Sequence, residues 1–563
     1  MYVKTNRVRR DNRTYEYLTL VEAVREGGRV RHRTIARLGE ASRLRESGEL
    51  ERIIAALQAH AGSAGAVRAG DLTAESAPGF GAIAALWTVF CRLGLREHFG
   101  GLRGHRTAVS LADTVFVMIA NRLLAPSSKR HSIIDWVDRD VELPAGVTAP
   151  SLDQCYRALD TIADTTGATE DHLFAELTSL LNLELRWCCY DLTSTYFETD
   201  QVDPDGRFAS KRYGYSRDKR RDRPQVMIGL LVTGDGIPIA HRMFPGNTQD
   251  ATTMPSVLDD LQSRFGVGRI ALVADRGLIS DDNLADIGAA GFDHVIATRL
   301  HRDPDAAAVL EAAAHPDVEW TPVAGDRTAC EVIRDGRRHI VVDSPVRRVR
   351  DDRRREQLLE RTETQLIALA ERVHNKRLTD AAKIGAAAQR ILGPSPVSRC
   401  FTTTIGHGRF GWDYDRAAID YEERLLAGRY VLSTSLAVDQ ASTAEVVAHY
   451  QSLANVEHRC RVLKAVLGLR PVDLWTETRV RGHIAVCVYA AVIEAVIANQ
   501  LTHAGIADPN LDGQIITARR ALGELDRIRI HHLTAGDQQI TITTRPNELQ
   551  ASILDALDVD TLT

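Results

Sequence analysis

Four side chains that suit phosphate and metal chemistry lie close together late in the chain: Tyr450, Glu457, Arg461 and Lys464. Glu457 follows Tyr450 by seven positions, and Lys464 follows Glu457 by seven. Seven residues at about 100° each fall about 20° short of two helical turns, so on one continuous helix these side chains share a face with Arg461. A carboxylate flanked by a phenol and two cations suits a metal ion that holds a phosphate group. The simpler alternative is a surface glutamate paired with Arg461 one turn further on.

Two aspartates upstream each follow a short apolar run that is predicted to be a strand. Residues 185–190 lead to Asp191, and residues 269–274 lead to Asp275. Each aspartate also has a simpler role available, the capping of a turn after a strand. Together with Glu457 they offer three hard oxygen ligands, the type that Mg²⁺ and Mn²⁺ prefer.

Such a trio of carboxylates suits the cutting of a phosphodiester bond. Two divalent ions about 4 Å apart can activate the attacking oxygen and stabilise the leaving one. We therefore expect two ions, Mg²⁺ or Mn²⁺, with Asp191 bridging both and with Asp275 and Glu457 each completing one side. The charge of the ions favours the ionised form of all three acids.

The segments around the acids predict the frame that brings them together. Residues 224–244 predict a hairpin around Gly234-Asp-Gly236, residues 251–265 a helix, and residues 292–298 a strand. The order strand, strand, strand, helix, strand, helix, strand, with Glu457 on a later helix, is that of an RNase H-like domain. We expect an α/β fold: an RNase H-like catalytic core with a mixed five-stranded sheet, interrupted by a β-rich insertion and preceded by a helical region and an N-terminal β-hairpin.

At these residues the chain resembles the DDE transposases of bacterial insertion sequences. The resemblance is to the branch that has a Tyr-Arg-Glu-Lys signature and a β-rich insertion before the catalytic glutamate. Asp191 in Tyr-Asp-Leu-Thr-Ser-Thr matches the first acid, Asp275 in Ala-Asp-Arg-Gly the second, and Glu457 the third. Tyr450 and Lys464 stand at the spacing of the signature.

Further segments extend this resemblance over most of the chain to about residue 500. They are Gly214-Tyr-Ser, Pro245-Gly-Asn-Thr-Gln-Asp250, Leu469-Arg-Pro471 and Arg481-Gly-His483. The chain departs from the family at the signature arginine, where it has Leu453. Leu453 cannot make the contact of that arginine, so processing of the ends through a hairpin is left open, with Arg461 or Arg459 as the compensating cation.

The resemblance implies a transposase that binds the terminal inverted repeats of an insertion sequence and catalyses metal-dependent DNA cleavage and strand transfer. Its partners would be double-stranded DNA, as element ends and target, and a second copy of the chain in a homodimeric synaptic complex. Tyr450, Arg461 and Lys464 are the expected DNA contacts. Two alternatives stay open: an RNase H-like nuclease without strand transfer, and a catalytically inactive DNA-binding relic.

Composition fits a folded protein of several domains. The chain has 563 residues, 44% hydrophobic content and a formal net charge of −5. Eight cysteines without a CxxC pair favour reduced thiols in the cytoplasm, with association to the nucleoid when DNA is bound. The apolar run 484–501 contains Glu494, so we expect a buried helix and no membrane partner.

Changes in pattern along the chain predict six regions. Residues 1–60 are expected to form a basic hairpin with its turn at Gly27-Gly28, plus a helix, and a linker covers about 61–78. The regions that follow are a helical region for DNA binding or packing (79–180), the first part of the catalytic domain (181–300), the insertion with strands and a long helix at about 352–392 (301–435), the second part of the catalytic domain (436–502) and a C-terminal region (503–563).

Several further residues have a functional and a structural interpretation. The arginines between 347 and 355 form either a DNA-facing patch or a solvated helix face, since acids alternate with them. Trp412 either stacks on a base or packs in the protein, and packing is the commoner role. Lys129 and Arg130 are candidates for contacts to the DNA backbone, and His483 is a candidate for orienting Glu457.

Overall fold

The computed structural model divides the chain into two compact units. The first comprises Met1–Ala77 and His531–Ile542, and the second comprises Pro78–Ile530 and Thr543–Thr563. The structure describes residues 2–10, 13–26, 29–60, 72–102, 110–181, 185–202, 206, 208–265, 270–275, 277–278, 280–298, 300, 304–535 and 538–559.

The first unit begins with an antiparallel sheet of strand order β1-β2-β3. Its elements are β1 (Tyr2–Arg10), β2 (Arg13–Glu26), β3 (Arg29–Glu40), α1 (Ala41–Glu46), α2 (Glu49–His60) and β4 (Leu72–Ser76). The predicted hairpin corresponds to β2 and β3, while β1 was not predicted because its polar residues carry no clear period-two pattern. The predicted turn at Gly27-Gly28 lies outside the described residues, as does most of the predicted linker.

Charged side chains cross this N-terminal sheet in pairs. Arg7 Nε lies 2.9 Å from Glu16 Oε1, and Arg33 lies 2.6 Å from Glu22 Oε2. These pairs are exposed, so each contributes little to stability. These acids neutralise part of the basic charge of the N-terminal region.

The second unit opens with helices that pack around aromatic side chains. The helices are α3 (Gly81–Arg92), α4 (Leu95–Gly101), α5 (Leu111–Leu124), α6 (Lys129–His131, which continues as a π-helical segment to Asp140) and α7 (Leu152–Leu181). Phe90 and Phe116 are fully buried and meet edge to face at 5.5 Å. This region is helical, as its apolar periodicity predicts.

A mixed sheet follows these helices. Its first elements are β5 (Trp187–Tyr196), β6 (Gln225–Thr233), β7 (Pro238–Pro245), α8 (Met254–Asp259), β8 (Ala271–Ala274), α9 (Asp281–Ala289) and β9 (Asp293–Ala297). The strands stand in the order β9-β8-β5-β6-β7. The pairs β5–β8 and β8–β9 are parallel, and β5–β6 and β6–β7 are antiparallel. The predicted mixed α/β class is confirmed.

The segment that follows β9 enlarges this sheet. Its elements are α10 (Pro304–Ala313), β10 (Thr321–Pro322), β11 (Thr328–Arg334), β12 (Arg337–Asp343), α11 (Pro345–His374), α12 (Ala381–Leu392), β13 (Phe401–Gly406), β14 (Arg409–Tyr414), α13 (Arg416–Tyr421) and β15 (Arg429–Thr434). β15 pairs with β9, and the sheet reaches nine strands in the order β10-β11-β12-β15-β9-β8-β5-β6-β7.

Two expectations about this segment are therefore wrong. The sheet is not five-stranded, because the insertion supplies four strands that cover the edge of β9, and an uncovered edge would expose unpaired backbone groups. The single long helix is two helices, α11 and α12. The chain between them turns at Lys376, whose φ is +55°.

The last part of the chain adds the main buried helix. Its elements are α14 (Thr443–Gln451), α15 (Leu453–Arg461), α16 (Glu477–His503), α17 (Ala518–Leu525), β16 (Ile530–Ala535), β17 (Gln538–Thr543) and α18 (Glu548–Ala556). β4, β16 and β17 form a separate three-stranded sheet. Among the described residues, α16 alone is long and apolar enough to cross a membrane, yet most of it is buried inside the protein, as expected of a core helix.

α16 packs against α7 at very close range. A Cβ on Gly482 would lie 2.1 Å from the carbonyl oxygen of Leu159. No Cβ contact of that length is tolerable, so only glycine allows the two backbones to approach this far.

Replacing Gly482 with alanine should therefore lower the melting temperature, since the two helices must separate at a cost of at least about 1–3 kcal/mol. Gly288, on α9, is the matched control, because no atom lies within 4 Å of its added Cβ. Gly288→Ala should raise stability slightly, by up to about 1 kcal/mol, through helix propensity. Differential scanning fluorimetry of both variants measures the direction of each change in melting temperature. Equal changes in the two variants would contradict the close packing.

Candidate active site

Asp191 lies in the middle of β5 rather than at its end. β5 runs on to Tyr196 because β6 pairs with it along its whole length, and Asp191 is opposite Leu230. β8 is shorter, and its last residue, Ala274, is opposite Tyr190. Asp191 thus stands where β8 stops, and Asp275 follows β8 directly, as the sequence predicted for the second acid.

The two aspartates project from the same face of the sheet. Side chains alternate along a strand, so Asp191 shares a face with Cys189 and Asp275 shares one with Val273. Cys189 and Val273 are register partners, and both belong to the large core that includes α15 residues. Tyr190, between Cys189 and Asp191, belongs to the core on the opposite face.

α15 lies across that face of the sheet and carries Glu457. Ser452, which precedes the helix, has its Oγ 3.2 Å from both Trp187 Nε1 and Cys189 Sγ. Asn455 Nδ2 donates to the Gly234 carbonyl at 2.7 Å. These bonds fix the start of α15 above β5 and the turn of the β6–β7 hairpin.

Arg459 fastens the same helix at a second point. Its Nε donates to the Gly236 carbonyl at 2.6 Å, and its guanidinium pairs with Glu494 of α16. Arg459 is only 7% exposed, so this ion pair is largely removed from water. The helix is therefore held between the hairpin turn and the core helix.

The expectation of one continuous helix from Tyr450 to Lys464 is wrong. α14 ends at Gln451, Ser452 separates it from α15, and the segment Val462–Val466 is π-helical. Because Ser452 breaks the helix before Glu457 and the π segment follows Arg461, the seven-residue spacing no longer shows that Tyr450, Glu457 and Lys464 share a face.

The electrostatics of Asp191 show that the other two acids lie near it. Burial raises the pKa of this carboxyl from its ordinary 3.8 to about 6. A hydrogen bond from the Leu192 backbone and the charge of Arg217 lower the pKa, whereas the charges of Glu457 and Asp275 raise it. Two further carboxylates, one after β8 and one on α15, thus act on Asp191.

The acids differ in exposure. Glu457 is exposed, and within the described ranges it makes no ion pair, so the simple i,i+4 pair with Arg461 is not formed. Asp275 is exposed as well. In the part of the chain that the structure describes, no three His, Cys, Asp or Glu side chains stand close enough to hold a metal ion.

The donor chemistry at Asp191 nevertheless fits a hard divalent cation. The groups whose charge acts on Asp191 are two carboxylates and one guanidinium, without a histidine or thiolate. The nearby Cys460 is buried, which raises its thiol pKa to about 12 and keeps it protonated. A cation would relieve the repulsion that burial and like charge impose on Asp191.

A charged loop that sequence analysis did not single out lies beside the acids. Arg217 pairs with Asp250 at 2.7 Å, and Asp218 accepts from Lys464 Nζ at 3.0 Å and from Arg470 at 2.5 Å. The only feature of the sequence analysis that pointed to this loop was the segment Gly214-Tyr-Ser, which immediately precedes Arg217. Asp250 thus positions Arg217.

The predicted DNA contacts have different surroundings. Tyr450 is half-buried, and its ring packs against Tyr430 at 5.7 Å. Lys464 is paired with Asp218, and its side chain is only 12% exposed. Arg461 is exposed and makes no ion pair with any described residue. DNA contact by these three residues stays a prediction.

The other candidates are mostly in structural positions. Trp412 packs against Phe401 and Tyr414, as the commoner interpretation expects. Four arginines of the basic run pair with nearby acids, as on a solvated helix face: Arg347, Arg348, Arg350 and Arg355. His483 lies near Lys129 and Arg122, and no described contact joins it to Glu457.

Two family models match the chain. The model described as "IS1634 family transposase, N-terminal domain" matches residues 3–69, and the model described as "Transposase DDE domain" matches residues 188–493. The second match covers more than half of the chain and includes Asp191, Asp275 and Glu457. No curated protein matches the chain.

The raised pKa of Asp191 predicts how its removal acts on stability. The folded carboxyl has a pKa of about 6 against 3.8 ordinarily, so its ionisation between about pH 4 and 7 destabilises the folded state by up to about 3 kcal/mol. Asp191→Asn should therefore be more stable than the wild type at pH 8 in EDTA, and the gain should vanish towards pH 4. Thermal melts across this pH range measure it.

Divalent ions provide the second arm of that experiment. Mg²⁺ should raise the melting temperature of the wild type more than that of Asp191→Asn, because an ion held by the folded carboxylates would stabilise the folded state. Asp235→Asn, at the exposed tip of the β6–β7 turn, is the matched control and should show neither effect. A less stable Asp191→Asn at pH 8 would contradict the electrostatic description.

The anchor of α15 can be tested by a double-mutant cycle. Arg459→Met should cost about 3 kcal/mol, because Glu494 is left charged and unpaired in a largely buried place. Adding Glu494→Leu should restore most of that loss. Arg461→Met, two residues further along on the exposed surface, should change stability by less than about 0.5 kcal/mol. Chemical denaturation of the wild type, Arg459→Met, Glu494→Leu and the double variant gives the coupling energy, and additive losses would exclude the anchor.

Proposed function

The chain belongs to the DDE transposases, with an IS1634-family N-terminal domain, and on that premise we propose that it binds the terminal inverted repeats of its own insertion sequence and catalyses DNA cleavage followed by strand transfer. One observation carries the proposal. Asp191 and Asp275 project from one face of the sheet beneath α15, and the charges of Asp275 and Glu457 both act on Asp191. These are the three acids that the resemblance assigned to catalysis.

We propose that strands β5 to β9 are an RNase H-like core. The order β9-β8-β5-β6-β7 supports this assignment, because β5 is in the centre, β5 to β7 are antiparallel, and β8 and β9 run parallel to β5. In this arrangement the segment from α10 to β15 is the insertion that separates Asp275 from Glu457. Its four added strands extend the sheet away from the acids, so the insertion leaves the region around Asp191 accessible.

Members of the family use divalent metals, and in this chain Asp191, Asp275 and Glu457 would hold them. Such ions lower the pKa of a bound water and stabilise a leaving oxyanion. Asp191 is the central ligand, because it is buried and both other acids act on it. Arg217, oriented by Asp250, limits the repulsion among the three carboxylates and lies ready to face a phosphate oxygen.

The resemblance to the family implies the bond changes. In cleavage, a water oxygen attacks the phosphorus and the 3′ oxygen leaves as a hydroxyl. In strand transfer, that 3′ hydroxyl attacks a phosphorus of the target DNA, and a target 3′ oxygen leaves. The same acids serve both steps, and no covalent bond between enzyme and DNA is needed.

The surroundings of α15 indicate which cation serves in place of the signature arginine. Leu453 is buried in the core and offers no hydrogen bond. Arg459 is committed to Gly236 and Glu494. Arg461 is exposed, so of the two candidates it is the one that can reach a phosphate. Synapsis of two element ends requires two copies of the chain, and we propose a homodimer on DNA.

Cleavage and joining assays test this function. Asp191→Ala should lower cleavage of a duplex that carries the element end by at least about 100-fold, because the site loses its central carboxylate. Its affinity for the same duplex, measured in Ca²⁺ to prevent cleavage, should stay within about threefold of the wild type. Asp235→Ala is the matched control and should cleave normally.

The same assay separates the alternatives. A pre-cut end and a supercoiled target plasmid should give joined products with the wild type. Cleavage without joining would favour a nuclease, and binding without either reaction would favour an inactive relic. Cleavage that persists in Asp191→Ala would refute the assignment of the acids.

A further inference from the structure

A cavity of about 270 Å³ lies in the second unit, among residues that the catalytic proposal does not use. Its wall combines the start of α6 with the segment 468–474 and with α16. It includes residues of two segments in the family resemblance that the catalytic proposal does not use: Arg470 and Pro471 from one, and His483 from the other. We call this cavity the Lys129 pocket.

The wall of the Lys129 pocket is strongly cationic. Asp473 is the single acid in its wall. Four of the side chains in the wall are basic: Arg122, Lys129, Arg130 and Arg470. His483 adds no charge, because burial and the nearby Lys129 and Arg122 hold its pKa well below the ordinary value. The pocket therefore has a surplus of positive charge.

Lys129 is the least compensated of these cations. It is only 8% exposed, and it has neither a carboxylate nor a hydrogen-bond acceptor among the described residues. Burial and the neighbouring Arg122 lower its pKa from 10.5 to about 7. The Lys129 ammonium faces the pocket without an acidic partner in the described structure, so an anion bound there would stabilise its charged form.

Arg122 shows the same lack of a negative partner. Its Nη atoms donate to backbone carbonyls, including those of Leu467 and Gly468, and its Nε is buried without an acceptor in the described structure. A Cβ on Gly468 would lie 3.0 Å from Pro126 and 3.4 Å from Arg122. Glycine at 468, with a φ of +61°, thus keeps this side of the pocket open.

Charged side chains of one loop lie between the pocket and the surroundings of the three acids. Arg470, in the pocket wall, shares the Asp218 carboxylate with Lys464, in the π-helical segment that follows α15. Arg217, adjacent to Asp218, acts on the charge of Asp191. The pocket wall and the surroundings of Asp191 are therefore joined through the loop 217–218, past which a DNA strand at the acids can extend.

We propose that the Lys129 pocket binds a phosphodiester group of the DNA strand whose reacting phosphate lies at the three acids. The inference rests on the proposed function, since it takes DNA as the substrate. The cavity has room for one phosphate and parts of its sugars, but not for a duplex. Lysine holds phosphate as a point charge, and Arg122 and Arg130 supply further donors.

Lys129→Met tests the pocket, because it removes the charge while keeping the apolar stem. With the full-length protein and a duplex that carries the element end, the Kd should rise about tenfold. The slope of log Kd against log salt should fall by about 0.9, the value for one phosphate contact. The melting temperature without DNA should rise, because the uncompensated buried charge is gone. Lys383→Met, on the exposed surface of α12, is the matched control and should leave the melting temperature unchanged.

The direction of the change in melting temperature distinguishes a role of Lys129 in DNA binding from a structural role. If Lys129→Met binds DNA like the wild type and melts at a lower temperature, Lys129 is structural and the inference is refuted. If inorganic phosphate raises the melting temperature of the wild type alone while both proteins bind DNA equally, the pocket takes free phosphate and the DNA assignment is refuted. A wild type that binds no element-end DNA would overturn the proposed function itself, a result distinct from either of these.

Discussion

The Arg459 guanidinium joins the helix that carries Glu457 to the β6–β7 turn and to α16. β6 pairs with β5 over the full length of β5, so the position of the hairpin turn is fixed relative to Asp191. α16 is fixed in turn by its close packing on α7 at Gly482. The separation between Glu457 and Asp191 therefore depends on a buried ion pair whose partners come from distant parts of the sequence.

This anchoring is needed because the acids repel one another. Burial and two neighbouring carboxylates oppose the ionisation of Asp191, and only Arg217 and the Leu192 backbone favour it. Without an external constraint, a helix that carries a third carboxylate would move away from such a site. The hydrogen bonds that α15 makes through Asn455 and Arg459 offset this repulsion and hold the helix beside β5.

Local patterns were sufficient to predict parts of this site. The hairpin around Gly234-Asp-Gly236 and the strand that ends at Ala274 were predicted because turn residues and apolar runs are local signals. The position of Asp191 within β5 was not, since β5 continues only because β6 lies beside it. The break at Ser452 was also not predicted. The hydroxyl of this serine contacts Trp187 and Cys189, which lie more than 260 residues earlier in the chain, so no local pattern signals it. The nine-stranded sheet likewise depends on the pairing of β15 with β9, which no local pattern encodes.

Asp218 has a role that only the folded structure reveals. Its carboxylate is 6% exposed and pairs with both Lys464 and Arg470. This cluster lies between the negative charge around Asp191 and the positive charge around Lys129. In the described structure the second oxygen of Asp218 is buried without a hydrogen bond, so this carboxylate has capacity for another donor. A DNA strand with its cations compensates both regions at once, because its phosphates are anionic and its divalent ions are positive. Binding of the strand and binding of the metal should therefore be mutually favourable.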